Sequence, residues 1–228
     1  GWFDCEDTLG PFSVFEESTK RNPSSEITLC VGPWAHGQWS GGEGITRHGD
    51  LSFGSSTEEF YRSQVELPFL QRHLIKSSDA AALPLRTTAV VFECGSNVWR
   101  HYDSWPPSAA TQLTIAFKPQ GRLVLLQPPV IETKIGTETD VEQQTHDGVG
   151  AAVCATWLSD PADPVNYSAT SVVGMAPQHM SADQRFVADR SDVVVFELAE
   201  PLENRVTLVG PVRCELPVIS CDRLLSTV

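Results

Sequence analysis

The chain has 228 residues, 41% hydrophobic and 20% charged, with a formal net charge of −13 at pH 7. That is room for one large domain, or for a small one beside a partial one, in an ordinary globular composition. The surplus of acid argues against a nucleic-acid partner, and no apolar run reaches the ~18 residues of a membrane span, so neither partner is expected.

Residues 1–4 (GWFD) read as the end of a strand or the loop just after one. In TLGPFSVFEES (8–18), Leu9, Phe12 and Phe15 fall at helical spacing, and Pro11 is tolerated in a first turn. ITLCVG (27–32) is a short apolar strand, and GPWAHG follows it directly. GQWSGGEG (37–44) is Gly-rich without the pattern of a phosphate loop and reads as a loop beside His36. Phe60, Leu67, Leu70 and Leu74 line one face of a helix over 57–76, with Thr57 as its N-cap and a kink expected at Pro68.

The texture changes at SSDAAALPL (77–85), the natural linker between an α/β remnant over 1–78 and a β-rich domain over 84–228. In the second part LRTTAVVFEC, VWRHY, TQLTIAF, RLVLL, AAVCATWLS, DVVVFEL and RVTLVG are β-rich runs with no helix between them. That pattern reads as a sandwich or jelly roll. Residues 132–150 are polar and acidic, a long surface loop without the spacing of an EF-hand. SDPADP, with Asp160 and Asp163, reads as a turn. The six cysteines form no C-x-x-C pair and the histidines no H-E-x-x-H, so no metal is expected; most cysteines read as small buried apolar residues.

Asp4 and His36 each lie just past a strand, where a loop opens toward a helix. In an α/β sheet that end of the strands is where ligands bind. In hydrolases of this architecture the triad runs Ser, then Asp or Glu, then His along the chain, and Asp4 and His36 fit its last two members. The histidine would take the serine proton and return it to the leaving group, while the carboxylate fixes the imidazole tautomer. Glu6 and Asp7 follow where the loop turns into its helix. They either cap that helix or face the same pocket and hold a cation. Trp34 and Trp39 either wall the pocket or pack around His36.

GWFDCED and GPWAHG, with WLSDPADPVNY (157–167), DQRFVADRSDVVVFELAEPL (183–202) and VTLVGPV (206–212), resemble the α-amino acid ester hydrolases. These belong to the wider family of cocaine esterase, glutaryl-cephalosporin acylases and X-Pro dipeptidyl-peptidases. The resemblance implies an α/β-hydrolase remnant, the C-terminal part of the sheet with its Asp and His loops, followed by an all-β jelly-roll (galactose-binding-like) domain. It implies that Asp4 is the triad acid, His36 the triad base, and Glu6 and Asp7 two of the carboxylates that hold a substrate ammonium. It further implies a small amino-acid ester, amide or short peptide as substrate, no cofactor, a periplasmic or secreted location and a homo-oligomeric full-length enzyme. An X-Pro dipeptidyl-peptidase or a glutaryl acylase on the same scaffold is the enzymatic alternative, and a non-catalytic jelly-roll binding module the alternative of another class.

No G-x-S-x-G occurs, and the order of the triad puts the serine before Asp4. The expectation is therefore a C-terminal fragment of a serine hydrolase, inactive alone. CDRLLSTV does not read as strands that close a jelly roll, so truncation is expected there too.

Overall fold

A computed structural model describes residues 1–41, 45–75, 88–126, 155–169 and 177–216. Its first helix, α1 (Gly10–Arg21), starts two residues later than the sequence suggests, with Pro11 in the first turn and Lys20 and Arg21 in the last. Each suits its end: proline gives up a backbone N–H that has no helical partner there, and the cations meet the negative end of the helix dipole. Of its apolar face, Phe15 is buried, while Leu9 stands outside the helix and exposed.

Strand β1 (Leu29–Val31) follows, then a small antiparallel hairpin of β2 (Arg47–His48) and β3 (Leu51–Ser52). The expected helix over 57–76 is there as three continuous pieces: α2 (Thr57–Phe60), a π-helical stretch (Tyr61–Glu66) and α3 (Leu67–Leu74). Proline has no N–H to give to the preceding turn, and the wider turns of Tyr61–Glu66 run directly into the α3 turn that contains Pro68. Ser56, rather than Thr57, occupies the N-cap position. The Thr57 hydroxyl is engaged elsewhere, accepting from Trp34 Nε1 at 2.9 Å and donating to the Ile45 carbonyl at 3.1 Å.

Strands β4 (Ala89–Glu93) and β5 (Val98–Tyr102) form a hairpin, and β4 pairs in parallel with β1, Leu29 opposite Ala89 and Val31 opposite Val91. The sequence reading placed 89–102 in the β-rich domain; their hydrogen bonds put them in the sheet of β1. The linker of 77–85 lies entirely on residues outside those described. The physical reason for the pairing lies in β4, whose residues 89–92 are all buried. A strand buried on both faces needs cover on both faces, as in parallel α/β sheets. Ala89 and Val91 pack with Leu29, Val31 and Phe15 of α1, ringed by Trp2, Phe12, Ile27, Tyr102 and Trp105. On the other face Phe92 meets Phe53 and Trp99 edge-on, and Phe60 stacks on Trp99 at 4.5 Å.

The second group of strands is β6 (Thr114–Lys118), β7 (Arg122–Leu126) and β8 (Glu197–Leu198), in that spatial order. Gln120 and Gly121 turn the β6–β7 hairpin with positive φ angles of 63° and 69°. DVVVFEL thus contributes only two strand residues, and residues 155–159 and 206–210, read from sequence as strands, carry no ladder. Strand propensity becomes a strand only where a neighbour supplies the opposite row of backbone groups, and none does so here among the described residues. SDPADP does form its turn, Asp160 Oδ1 accepting from the Ala162 N–H at 2.9 Å. Arg190 then ties that segment to the later one, donating to the Asp163 carbonyl at 2.8 Å and to Asp192 Oδ2 at 2.7 Å. Of the described cysteines, Cys5, Cys94 and Cys214 are exposed and Cys30 half-buried, all unpaired, so the expectation of buried apolar cysteines fails for these three. No helix among the described residues is long and apolar enough to cross a membrane.

Candidate active site

The loops that carry Asp4 and His36 lie side by side because the backbone of 2–3 continues the pairing of β1. Trp2 N–H donates to the Gly32 carbonyl at 2.9 Å and Phe3 N–H to the Trp34 carbonyl at 3.0 Å. The indole of Trp2 anchors the same loop from the other side, donating to the Phe92 carbonyl of β4 at 2.9 Å. The turn after β1 is set by Trp34, which is buried, donates to Thr57 and packs its ring on Tyr61 and Trp99. Trp34 is therefore a packing residue; Trp39, half exposed, meets Tyr61 edge-on, ring centroids 6.1 Å apart.

Gly32 is required by this arrangement: a Cβ there would lie 2.4 Å from the Trp34 ring. Gly32→Ala is expected to destabilise the chain by about 1–3 kcal/mol, the usual cost of overpacking. Thermal melting against the parent checks it; an unchanged Tm would mean that Trp34 swings away freely.

These constraints bring Asp4 Oδ2 to 2.9 Å from His36 Nδ1. The two side chains differ sharply in exposure, 2% for Asp4 and 64% for His36. A buried carboxylate thus holds one edge of an imidazole whose other nitrogen, Nε2, meets no partner among the described residues. The second oxygen of Asp4 is also held, accepting from the Glu6 N–H at 2.9 Å. Burial opposes the charge on Asp4, yet its carboxyl is held below the ordinary 3.8 by the Glu6 N–H, by His36 and by the Asp7 N–H together. The stabilisation this confers is present above that ordinary value and is lost as pH falls through the lower folded one.

Glu6 and Asp7 go separate ways. Glu6 Oε2 lies 4.0 Å from His36 Nδ1 on an exposed side chain, so Asp4, Glu6 and His36 bring three donor atoms within 4.8 Å of one another. At 2.9 Å the Asp4–His36 contact has the length of a hydrogen bond. Asp7 instead turns its backbone N–H to the Asp4 carboxylate.

Sequence reasoning missed Gln38 and His48. Gln38 Oε1 accepts the Ala35 N–H at 2.6 Å and approaches His48 Nδ1 at 3.3 Å, bracing the turn that presents His36. The turn signal H-G-D at 48–50 marks the hairpin in the sequence but not what its histidine touches.

No protein-family model matches the chain. Cocaine esterase of Rhodococcus sp. (strain MB1 Bresler) is 25% identical over 224 residues, which are 96% of this chain and 34% of the esterase. The solved structure of an α-amino acid ester hydrolase superposes with a TM-score of 0.69 at 26% identity, over 92% of this chain and 32% of its own. Both likenesses point to the X-Pro dipeptidyl-peptidase and cocaine esterase family. Within this family of hydrolases an aminopeptidase from a marine sediment archaeon, Thaumarchaeota archaeon, also superposes, with a TM-score of 0.60 at 27% identity, over 86% and 29%. The chain thus spans about a third of the length of each of these family relatives.

Proposed function

We propose that Asp4 and His36 are the acid and base of a serine hydrolase that cleaves esters or amides of α-amino acids. The observation that carries the reading is the 2.9 Å contact between a buried carboxylate and an exposed imidazole. Asp4, on Nδ1, leaves the lone pair on Nε2. A serine hydroxyl placed there would lose its proton to Nε2 as its oxygen attacks the acyl carbonyl. The imidazolium, stabilised by Asp4, would then protonate the leaving alcohol or amine, and water would repeat the cycle on the acyl-enzyme. The 228 residues contain no G-x-S-x-G, so the serine and the oxyanion donors belong to residues outside them. In this reading the β6–β7–β8 sheet belongs to a jelly roll beside the catalytic domain.

For the substrate, Glu6 is the better placed of the two acids, exposed and within 4.0 Å of the His36 ring. It would hold the α-ammonium, a group that the names of two of the relatives, an amino acid ester hydrolase and an aminopeptidase, have in common. Glu6→Gln is expected to raise KM about fivefold for substrates with a free α-amino group, the worth of an exposed ion pair, and to leave N-acylated ones unchanged. Equal effects on both classes would remove the ammonium assignment.

The test of the reading as a whole starts from the coding DNA ahead of Gly1. A G-x-S-x-G in the same frame, and turnover of amino-acid esters by the longer chain but not by the 228 residues, is the expected result. Ester turnover by the 228 residues alone, surviving Asp4→Asn and His36→Ala, would overturn it.

A further inference from the structure

His48 lies in β2, 1% exposed, far enough from His36 in sequence to have no local reason to touch its loop. It touches both loops of the site. Its ring stacks on Phe3, the neighbour of Asp4, with centroids 4.5 Å apart and planes 7° from parallel. Its Nδ1 lies 3.3 Å from Gln38 Oε1, two residues beyond His36.

The proton on His48 can be assigned from its neighbours. The Ala35 N–H is an obligate donor at 2.6 Å from the Gln38 side chain, so the atom there is the amide oxygen. An amide oxygen can only accept, so His48 Nδ1 carries the hydrogen. Nε2 is then a bare acceptor, buried and without a partner among the described residues. Burial also holds the ring neutral, pushing its pKa below the ordinary 6.5. An apolar ring of similar size would stack on Phe3 without leaving Nε2 unpaired. What only the imidazole supplies is the Nδ1–H for Gln38.

We infer that His48 is a positioning residue for the Asp4–His36 pair: through Phe3 it fixes the acid loop, and through Gln38 the turn that presents the base. The inference rests on the proposed roles of Asp4 and His36 and adds the residue that sets their approach. It acts through other side chains and touches no reacting atom.

The readout is the tautomer of His36, seen by long-range proton–nitrogen NMR correlation of the 228-residue chain at a pH that keeps the ring neutral. Asp4 enforces the Nδ1–H form, whereas a free imidazole prefers Nε2–H. In His48→Phe, which keeps the stack, and in Gln38→Leu, the ratio of Nδ1–H to Nε2–H at His36 is expected to fall about fivefold, the worth of one hydrogen bond. Exchange of the Ala35 amide should rise by a similar factor. Asp4→Asn serves as the reference, reversing the tautomer outright. A parent ratio that Asp4→Asn leaves in place would overturn the acid–base reading, and this inference with it. A ratio reversed by Asp4→Asn but unmoved in His48→Phe and Gln38→Leu would overturn the inference alone. Should His48→Phe fail to fold, Gln38→Leu, at a half-exposed turn position, decides the question by the same ratio.

Discussion

Asp4→Asn is expected to lower kcat by about 10⁴ in a chain that also contains the nucleophile, with little change in KM, the order of loss seen when a triad acid becomes an amide. The reason can be read from the two oxygens of Asp4. Oδ1 accepts the Glu6 N–H at 2.9 Å, and that donor has no other acceptor in the loop. An asparagine at position 4 must therefore turn its carbonyl oxygen to Glu6 and its NH₂ to His36. The NH₂ donates to Nδ1, which now carries the lone pair, and the ring proton moves to Nε2. In the proposed reaction His36 would then offer a hydrogen to the serine where it should offer a lone pair. The fold keeps all its backbone contacts, so far-ultraviolet circular dichroism should match the parent. Asp4→Ala differs in a telling way: it removes the acceptor of the Glu6 N–H as well, so it should cost stability in addition to rate. A kcat for Asp4→Asn within tenfold of the parent would mean that Asp4 only caps its turn.

The pair itself was legible in the sequence because each member sits in a short local motif whose neighbours serve it. In GWFD, Trp2 anchors to β4 and the Phe3 N–H to the Trp34 carbonyl; in GPWAH, Gly32 yields space to Trp34, which hangs the turn on Thr57. What was not legible is non-local. The pairing of β4 with β1 joins segments some sixty residues apart, Leu29 opposite Ala89, and nothing local encodes it. Its one trace is the unbroken apolar run AVVF, which lacks the alternation of a strand with a wet face and so fits a parallel sheet better than a sandwich. The bracing of His36 by Gln38 and His48 was hidden for the same reason, since the partners meet only once the β2–β3 hairpin folds over the turn. The Thr57 cap was misplaced by one residue because propensity knows nothing of an indole N–H that needs its hydroxyl.

The non-local pairing carries the second large effect. Phe92→Ala is expected to destabilise the chain by about 3–5 kcal/mol, the cost of emptying a buried aromatic site. Phe92 is 1% exposed, wedged edge-on between Phe53 at 5.5 Å and Trp99 at 5.3 Å, and Trp99 in turn holds Phe60 and Trp34. The cavity therefore opens between β4 and the helix of 57–74, beneath the residue that carries the His36 turn. Because Phe92 also offers its carbonyl to Trp2, a shift of β4 is passed to the Asp4 loop. Hydrogen exchange separates this architecture from one in which residues 84–228 fold apart from 1–78. If β4 is the centre of the catalytic sheet, Phe92→Ala speeds exchange at Leu29, whose N–H donates to the Thr88 carbonyl at 2.9 Å, by the same factor as at the β4 amides. If β4 belongs to an independent unit, the β4 amides lose protection while Leu29 keeps its own, and the loops of Asp4 and His36 are built without it.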